Sequence, residues 1–92
     1  MPVQQISLTI DNRVALHARP AALFVEMSNR YQCRIQVSNA RGKDANGKSI
    51  LGILSLNIGP GEEISILAEG DDAEEAVASI MALFHNNFED TE

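Results

Sequence analysis

In Ile6-Ser7-Leu8-Thr9-Ile10-Asp11-Asn12-Arg13-Val14-Ala15-Leu16-His17-Ala18-Arg19-Pro20-Ala21 (residues 6–21) the hydrophobic period changes from that of a strand to that of a helix. Ile6, Leu8 and Ile10 fall on one face, with Ser7 and Thr9 on the other, which predicts a half-buried strand. Asp11-Asn12-Arg13 supplies turn-prone residues. Pro20 suits the first turn of a helix, where its missing N–H would have had no partner. That helix is expected to run to about Arg30, with Ala21, Phe24, Val25 and Ser28 on one apolar stripe and Tyr31 closing it. Leu23 and Met27 fall on another face.

The pattern continues outward. Cys33, Ile35 and Val37 alternate with polar residues, and Asn39-Ala40-Arg41-Gly42 predicts a hairpin into a short edge strand over 43–45. Ser49 is a good N-cap for a short helix, with Ile50, Ile53 and Leu56 toward the core and Leu51 and Leu54 away from it. Gly59-Pro60-Gly61 marks a turn. Ile64, Ile66 and Ala68 then alternate as the last strand. Asp72 and Glu75 have capping-box spacing ahead of a helix whose stripe is Ala76, Val77, Ile80, Leu83 and Phe84. Residues 86–92 are polar and acidic, as expected of a frayed tail. The order βαββαβα predicts an α+β fold: a four-stranded antiparallel sheet covered on one face by three helices, in one domain over residues 1–88 with an acidic tail at 89–92.

At 92 residues the chain can bury only roughly 60–65% of its unfolded surface, which leaves no room for a large closed substrate cavity. The formal charge of −6, with few and scattered basic residues, argues against nucleic acid as a partner. The lone Cys33 excludes an internal disulfide and is expected to be a buried thiol. No apolar run approaches the roughly 18 residues of a membrane span, so no membrane insertion is expected. The first residues lack the features of a signal peptide, and a cytoplasmic protein is expected. No cysteine pair, histidine pair or carboxylate cluster offers metal-ligand spacing, so neither a metal centre nor a cofactor is expected. His85, near the end of the last helix, suits the helix dipole as a structural cation.

His17 stands where unpaired helix N–H groups and the positive end of the dipole favour an anion. The same dipole disfavours a protonated ring and keeps the imidazole nucleophilic. Arg19, two residues on, can supply a guanidinium. A nucleophile, an anion-binding helix end and an arginine are the requirements of a group phosphorylated in passing. Spacing alone leaves a plainer alternative open: a histidine capping the helix beside a solvated arginine.

Leu16-His17-Ala18-Arg19-Pro20-Ala21 resembles the active-site motif of the HPr family, the histidine-containing phosphocarriers of the phosphoenolpyruvate-dependent sugar phosphotransferase system. Asn46-Gly47-Lys48-Ser49-Ile50-Leu51-Gly52-Ile53-Leu54-Ser55-Leu56 resembles the family's second motif. The resemblance implies an open-faced sandwich. It also implies phosphorylation of His17 on Nδ1 by enzyme I, transfer to the A domain of a sugar permease, and assistance from Arg19. Ser49 matches a serine modified by an ATP-dependent kinase in many relatives, which implies an HPr serine kinase/phosphatase and a transcriptional regulator as further partners. The chain is then a phosphoryl carrier, a covalent intermediate and not a turnover catalyst. Glu26, Asn29 and Gly52 depart from relatives that carry lysines there. The segment Leu83 to Asp90 is similar to the nitrogen-related paralogue, which stands as an alternative. A regulatory HPr-like protein lacking the histidine is disfavoured by His17, and a small-ligand sandwich by the absence of convergent polar groups.

In the family fold the starts of the first two helices lie close together. Leu23, Met27, Leu51 and Leu54, with Ala18 beside His17, are therefore expected to form one exposed apolar docking patch, with Arg19 and Arg30 at its rim. The competing expectation is that these residues fill gaps between helices.

Overall fold

Rows of branched apolar side chains align across one sheet face. The computed structural model describes residues 2–10, 18–86 and 88. Its elements are β1 (Val3–Thr9), α1 (Ala18–Ser28), β2 (Arg34–Ser38), β3 (Asp44–Asn46), α2 (Ile50–Ser55), β4 (Glu63–Glu69) and α3 (Ala73–His85). The sheet order is β1-β4-β2-β3, with every neighbouring pair antiparallel. The register sets Ile6 opposite Ile66, Leu8 opposite Ile64, Val37 opposite Ile66 and Ile35 opposite Ala68. These residues face the helices, and Ile35, Val37, Ile64, Ile66 and Ala68 are buried. On the other face Ser7, Ser65 and Ser38 form one row, and Arg34 meets Glu69 at 4.0 Å. A face this polar needs no second layer, so the sandwich stays open on that side.

Helix α1 lays Ala21, Phe24 and Ser28 on the core, and α3 lays Ala73, Ala76, Val77 and Ile80 there. The Phe24 ring meets Phe84 edge-on, with centroids 6.0 Å apart. Cys33 is buried just ahead of β2, as expected of a structural thiol. Burial pushes its thiol pKa up, with the neighbouring Asp72 adding to the shift.

Several expectations need correction. Helix α1 ends at Ser28, short of Arg30, because residues 29 and 30 form a turn in which the Arg30 N–H donates to the Met27 carbonyl. The edge strand runs from Asp44 to Asn46, one residue later than its sequence suggests. Ile50 is 39% exposed and not core, because only the C-terminal half of α2, at Ile53 and Leu56, reaches the sheet. Asp72 makes no capping bond with its side chain. Its carboxylate accepts instead from the backbone N–H groups of Gln32 (2.8 Å) and Cys33 (2.9 Å). Two charge-assisted bonds outcompete a single cap, and they hold the carboxyl below its usual pKa, the Gln32 N–H contributing most. Phe88 is not part of a frayed end. It is buried, packs on Phe84 at 4.7 Å and donates its N–H to the Leu83 carbonyl. Residues 89–92, expected as an acidic tail, lie outside the described residues.

Among the described residues the buried Ser28 hydroxyl has no hydrogen-bond partner. Leaving such a group unpaired costs about 1–3 kcal/mol, and Ala is the better helix former. Ser28→Ala is therefore expected to stabilise the domain by about 1 kcal/mol, read as a higher urea midpoint at constant slope. A lower midpoint would mean that the hydroxyl is satisfied.

Candidate functional site

The site begins at the start of α1. His17 lies outside the described residues, and its assignment rests on the sequence. Ala18, Arg19 and Pro20 form the first turn of α1, so Pro20 stands where its missing N–H breaks no bond. The Arg19 side chain is exposed at this helix end.

The second element is α2. Ser49 has the extended backbone of an N-cap (φ −113°, ψ 117°), and its Oγ accepts the Gly52 N–H at 3.0 Å. The N-cap expectation therefore holds. From the cap outward the helix shows solvent a set of large apolar groups: Ile50 is 39% exposed, Leu51 76% and Leu54 39%. Ile53 is the one buried residue within the helix, and Leu51 lies nearly opposite it.

Helices α1 and α2 pack against each other, but the start of α2 meets the end of α1, where Asn29 and Tyr31 bond Lys48, and not its start as expected. The two helices do not present the four-residue patch expected from the sequence. Leu23 and Met27 are half-buried and pack against the core. The stripe of α1 is wide enough that residues two positions off its centre still touch apolar neighbours. Leu51 and Leu54 remain exposed, and Ile50 joins them. Arg30 is exposed, with Nη1 3.9 Å from the Met27 sulfur.

Two polar residues absent from the sequence expectations tie these helices together. Asn29 Nδ2 donates to the Val25 carbonyl at 3.0 Å and to the Lys48 carbonyl at 3.2 Å. Lys48 Nζ donates to the Tyr31 carbonyl at 2.6 Å, placing its cation at the negative end of α1. Ser49 is thereby fixed relative to α1 by the residue that precedes it. Nothing in the sequence spacing links Asn29 to Lys48, which is 19 residues away.

No group of three His, Cys, Asp or Glu residues comes together among the described residues. No helix among them is long and apolar enough to cross a membrane. What the arrangement offers is an arginine at a helix start, a capped serine at a second helix start, and an apolar face between solvent and the core.

Comparison with known proteins places this geometry. The family model described as "PTS HPr component phosphorylation site" matches residues 4–86. The phosphocarrier protein HPr of Pseudomonas aeruginosa is 34% identical over 87 residues, covering 95% of this chain and 97% of the relative. The phosphocarrier protein NPr of Escherichia coli K12 is 32% identical over 90 residues, covering 98% and 99%. The crystal structure of HPr-C-His from Thermoanaerobacter tengcongensis is similar with a TM-score of 0.88 at 38% identity, covering 97% of this chain and 99% of that one.

Proposed function

Because the chain belongs to the HPr family of phosphocarrier proteins, we propose that it takes a phosphoryl group from phospho-enzyme I onto Nδ1 of His17 and passes it to the A domain of sugar permeases. The observation that carries this reading is the motif Leu16 to Ala21 at the start of α1, inside a family match that spans both motifs. The Nδ1 lone pair attacks phosphorus as the bond to the donor breaks. The new phosphohistidine then sits beside Arg19 and the positive end of the α1 dipole. The second transfer repeats the exchange with an acceptor group on the permease domain. The chain supplies the nucleophile and part of the charge stabilisation, and its partners supply the rest, so it acts as a carrier and not as a turnover enzyme. It works in the cytoplasm, without metal or cofactor.

Incubation with enzyme I and phosphoenolpyruvate tests this directly. Acid-labile phosphate on His17, transferable to a sugar permease A domain, is the expected result. A protein that stays unlabelled overturns the reading.

Ser49 is the regulatory position in this scheme. A phosphate there, added by an HPr serine kinase/phosphatase, places a dianion beside the docking face of α2, slows acceptance from enzyme I and suits recognition by a transcriptional regulator.

Docking centres on Leu51 and Leu54, extended toward Ala18 on α1, with Leu23 and Met27 supporting that face from below. Leu51→Glu is expected to weaken transfer from enzyme I at least about tenfold through KM, at a stability cost below about 0.5 kcal/mol. The small cost follows from the exposure of Leu51. Unchanged KM moves the docking surface elsewhere, and unfolding makes Leu51 a core residue.

A nitrogen-related role is the second reading. It is favoured by the segment Leu83 to Asp90 and by the 32% identity to a phosphocarrier NPr. Phosphoryl transfer to a nitrogen-branch A domain in preference to a sugar permease domain would select it.

A further inference from the structure

Helix α2 has six residues, of which only Ile53 is buried, and no basic residue in its last turn. Its apolar anchors, Ile53 and the C-cap Leu56, both lie toward its C-terminal end, so the tilt of the helix depends on how that end is held. Its last carbonyls are groups that a helix cannot pair internally. The β2–β3 hairpin meets both needs. Asn39 Nδ2 and Arg41 Nη2 donate to the Leu56 carbonyl at 2.9 and 2.7 Å. Arg41 Nη2 also reaches the Asn57 carbonyl at 3.3 Å, and Lys43 Nζ donates to the Ser55 carbonyl at 3.2 Å. Two cations thus face the negative end of the helix dipole.

Arg41 is itself held. Its Nη1 lies 3.4 Å from Glu62 Oε2. The same carboxylate accepts the Ala40 N–H (Oε2, 3.0 Å) and the Gly59 N–H (Oε1, 3.0 Å). Glu62 therefore joins the hairpin turn to the loop ahead of β4. These bonds hold its carboxyl below the usual range, the Gly59 N–H contributing most.

We propose that Arg41, anchored by Glu62, is a positioning residue for partner docking: it clamps the C-terminal end of α2 to the hairpin and sets the angle at which Ile50, Leu51 and Leu54 meet the phosphoryl donor. This rests on the docking role of α2 given above. The Arg41 side chain is 58% exposed, so its ion pair contributes little to global stability. Its effect falls on the geometry of α2.

The test uses steady-state phosphorylation of the full chain by enzyme I and phosphoenolpyruvate, with amide hydrogen exchange as the second readout. Arg41→Ala is expected to raise KM about five- to tenfold with kcat within about twofold. The Leu56 and Asn57 amides, which donate to Ile53 and Leu54 within α2, should exchange faster. Arg41→Lys should restore part of both, because an ammonium can still donate to one carbonyl. Two controls are expected to leave KM unchanged: Arg34→Ala, which removes the same charge from the open sheet face, and Ile64→Val, which lowers core stability. If Arg41→Ala melts below assay temperature, Arg41→Lys carries the test, with an intermediate KM expected. Wild-type KM in the Arg41 variants, unchanged exchange in α2, or an equal rise in either control overturns the proposal. Failure of the wild-type protein to accept phosphoryl would instead overturn the carrier reading.

Discussion

His17→Ala is expected to lose at least about a hundredfold of phosphoenolpyruvate-dependent labelling, down to background. Among the described residues, no side chain at the start of α1 can replace the imidazole. Arg19 is cationic, and the Ser49 hydroxyl, beside the other end of α1, is already engaged with the Gly52 N–H. Melting should be unaltered, because the core that sets stability is built from Phe24, Ile53, Ile66, Ile80 and their buried neighbours. Acid-labile radiolabel from phosphoenolpyruvate, with a thermal melt run alongside, separates the two effects. Labelling of the variant at the wild-type rate would place the phosphoryl group on another residue. Lost labelling with a collapsed melt would make His17 structural.

Gly70→Ala should be the most damaging single-methyl change to the fold. Gly70 has φ +148°, a conformation that L side chains rarely adopt. An added Cβ would stand 2.8 Å from both Cα and Cβ of Cys33. Neither neighbour can retreat. The Cys33 N–H is bound to Asp72, and the Gly70 N–H donates to the Pro2 carbonyl at 2.9 Å. Backbone strain of about 1–3 kcal/mol adds to overpacking of about 1–3 kcal/mol. A loss of about 4 kcal/mol lowers the melting temperature by roughly 15–30 °C in a domain this size. A melt within about 5 °C of wild type would show that the loop between β4 and α3 can rearrange cheaply.

How far the sequence can be followed differs by element. The three long strands were legible because Ile6, Leu8, Ile35, Val37, Ile64 and Ile66 keep a strict period of two. Only one sheet face buries such a pattern. Helix α2 was legible as a helix but not in its orientation, since a three-residue period over six residues does not say which turn touches the sheet. Asp72 looked like a cap because local spacing favours one. Its real partners, Gln32 and Cys33, are 40 and 39 residues away in the chain. Phe88 continues the spacing of Ile80 and Phe84, but it stands among polar and acidic residues, which mask its burial. The candidate site divides in the same way. Pro20 and the helix start that frame His17 are local features, as is the Ser49 cap. The bonds of Lys48, Arg41 and Glu62 join segments that meet only in the folded domain.

The sheet order carries a consequence for how the molecule is made. Strand β1 pairs only with β4, so Val3–Thr9 waits for Glu63–Glu69. The β2–β3 hairpin, by contrast, closes within a few residues of its own turn. During synthesis at roughly 5–20 residues per second, the stretch from Thr9 to Glu63 takes about 3–11 s to appear. Throughout that time the apolar face of β1 has no sheet to join. The nascent chain therefore spends those seconds with the apolar face of β1 uncovered, a state in which unpaired strands are prone to aggregate.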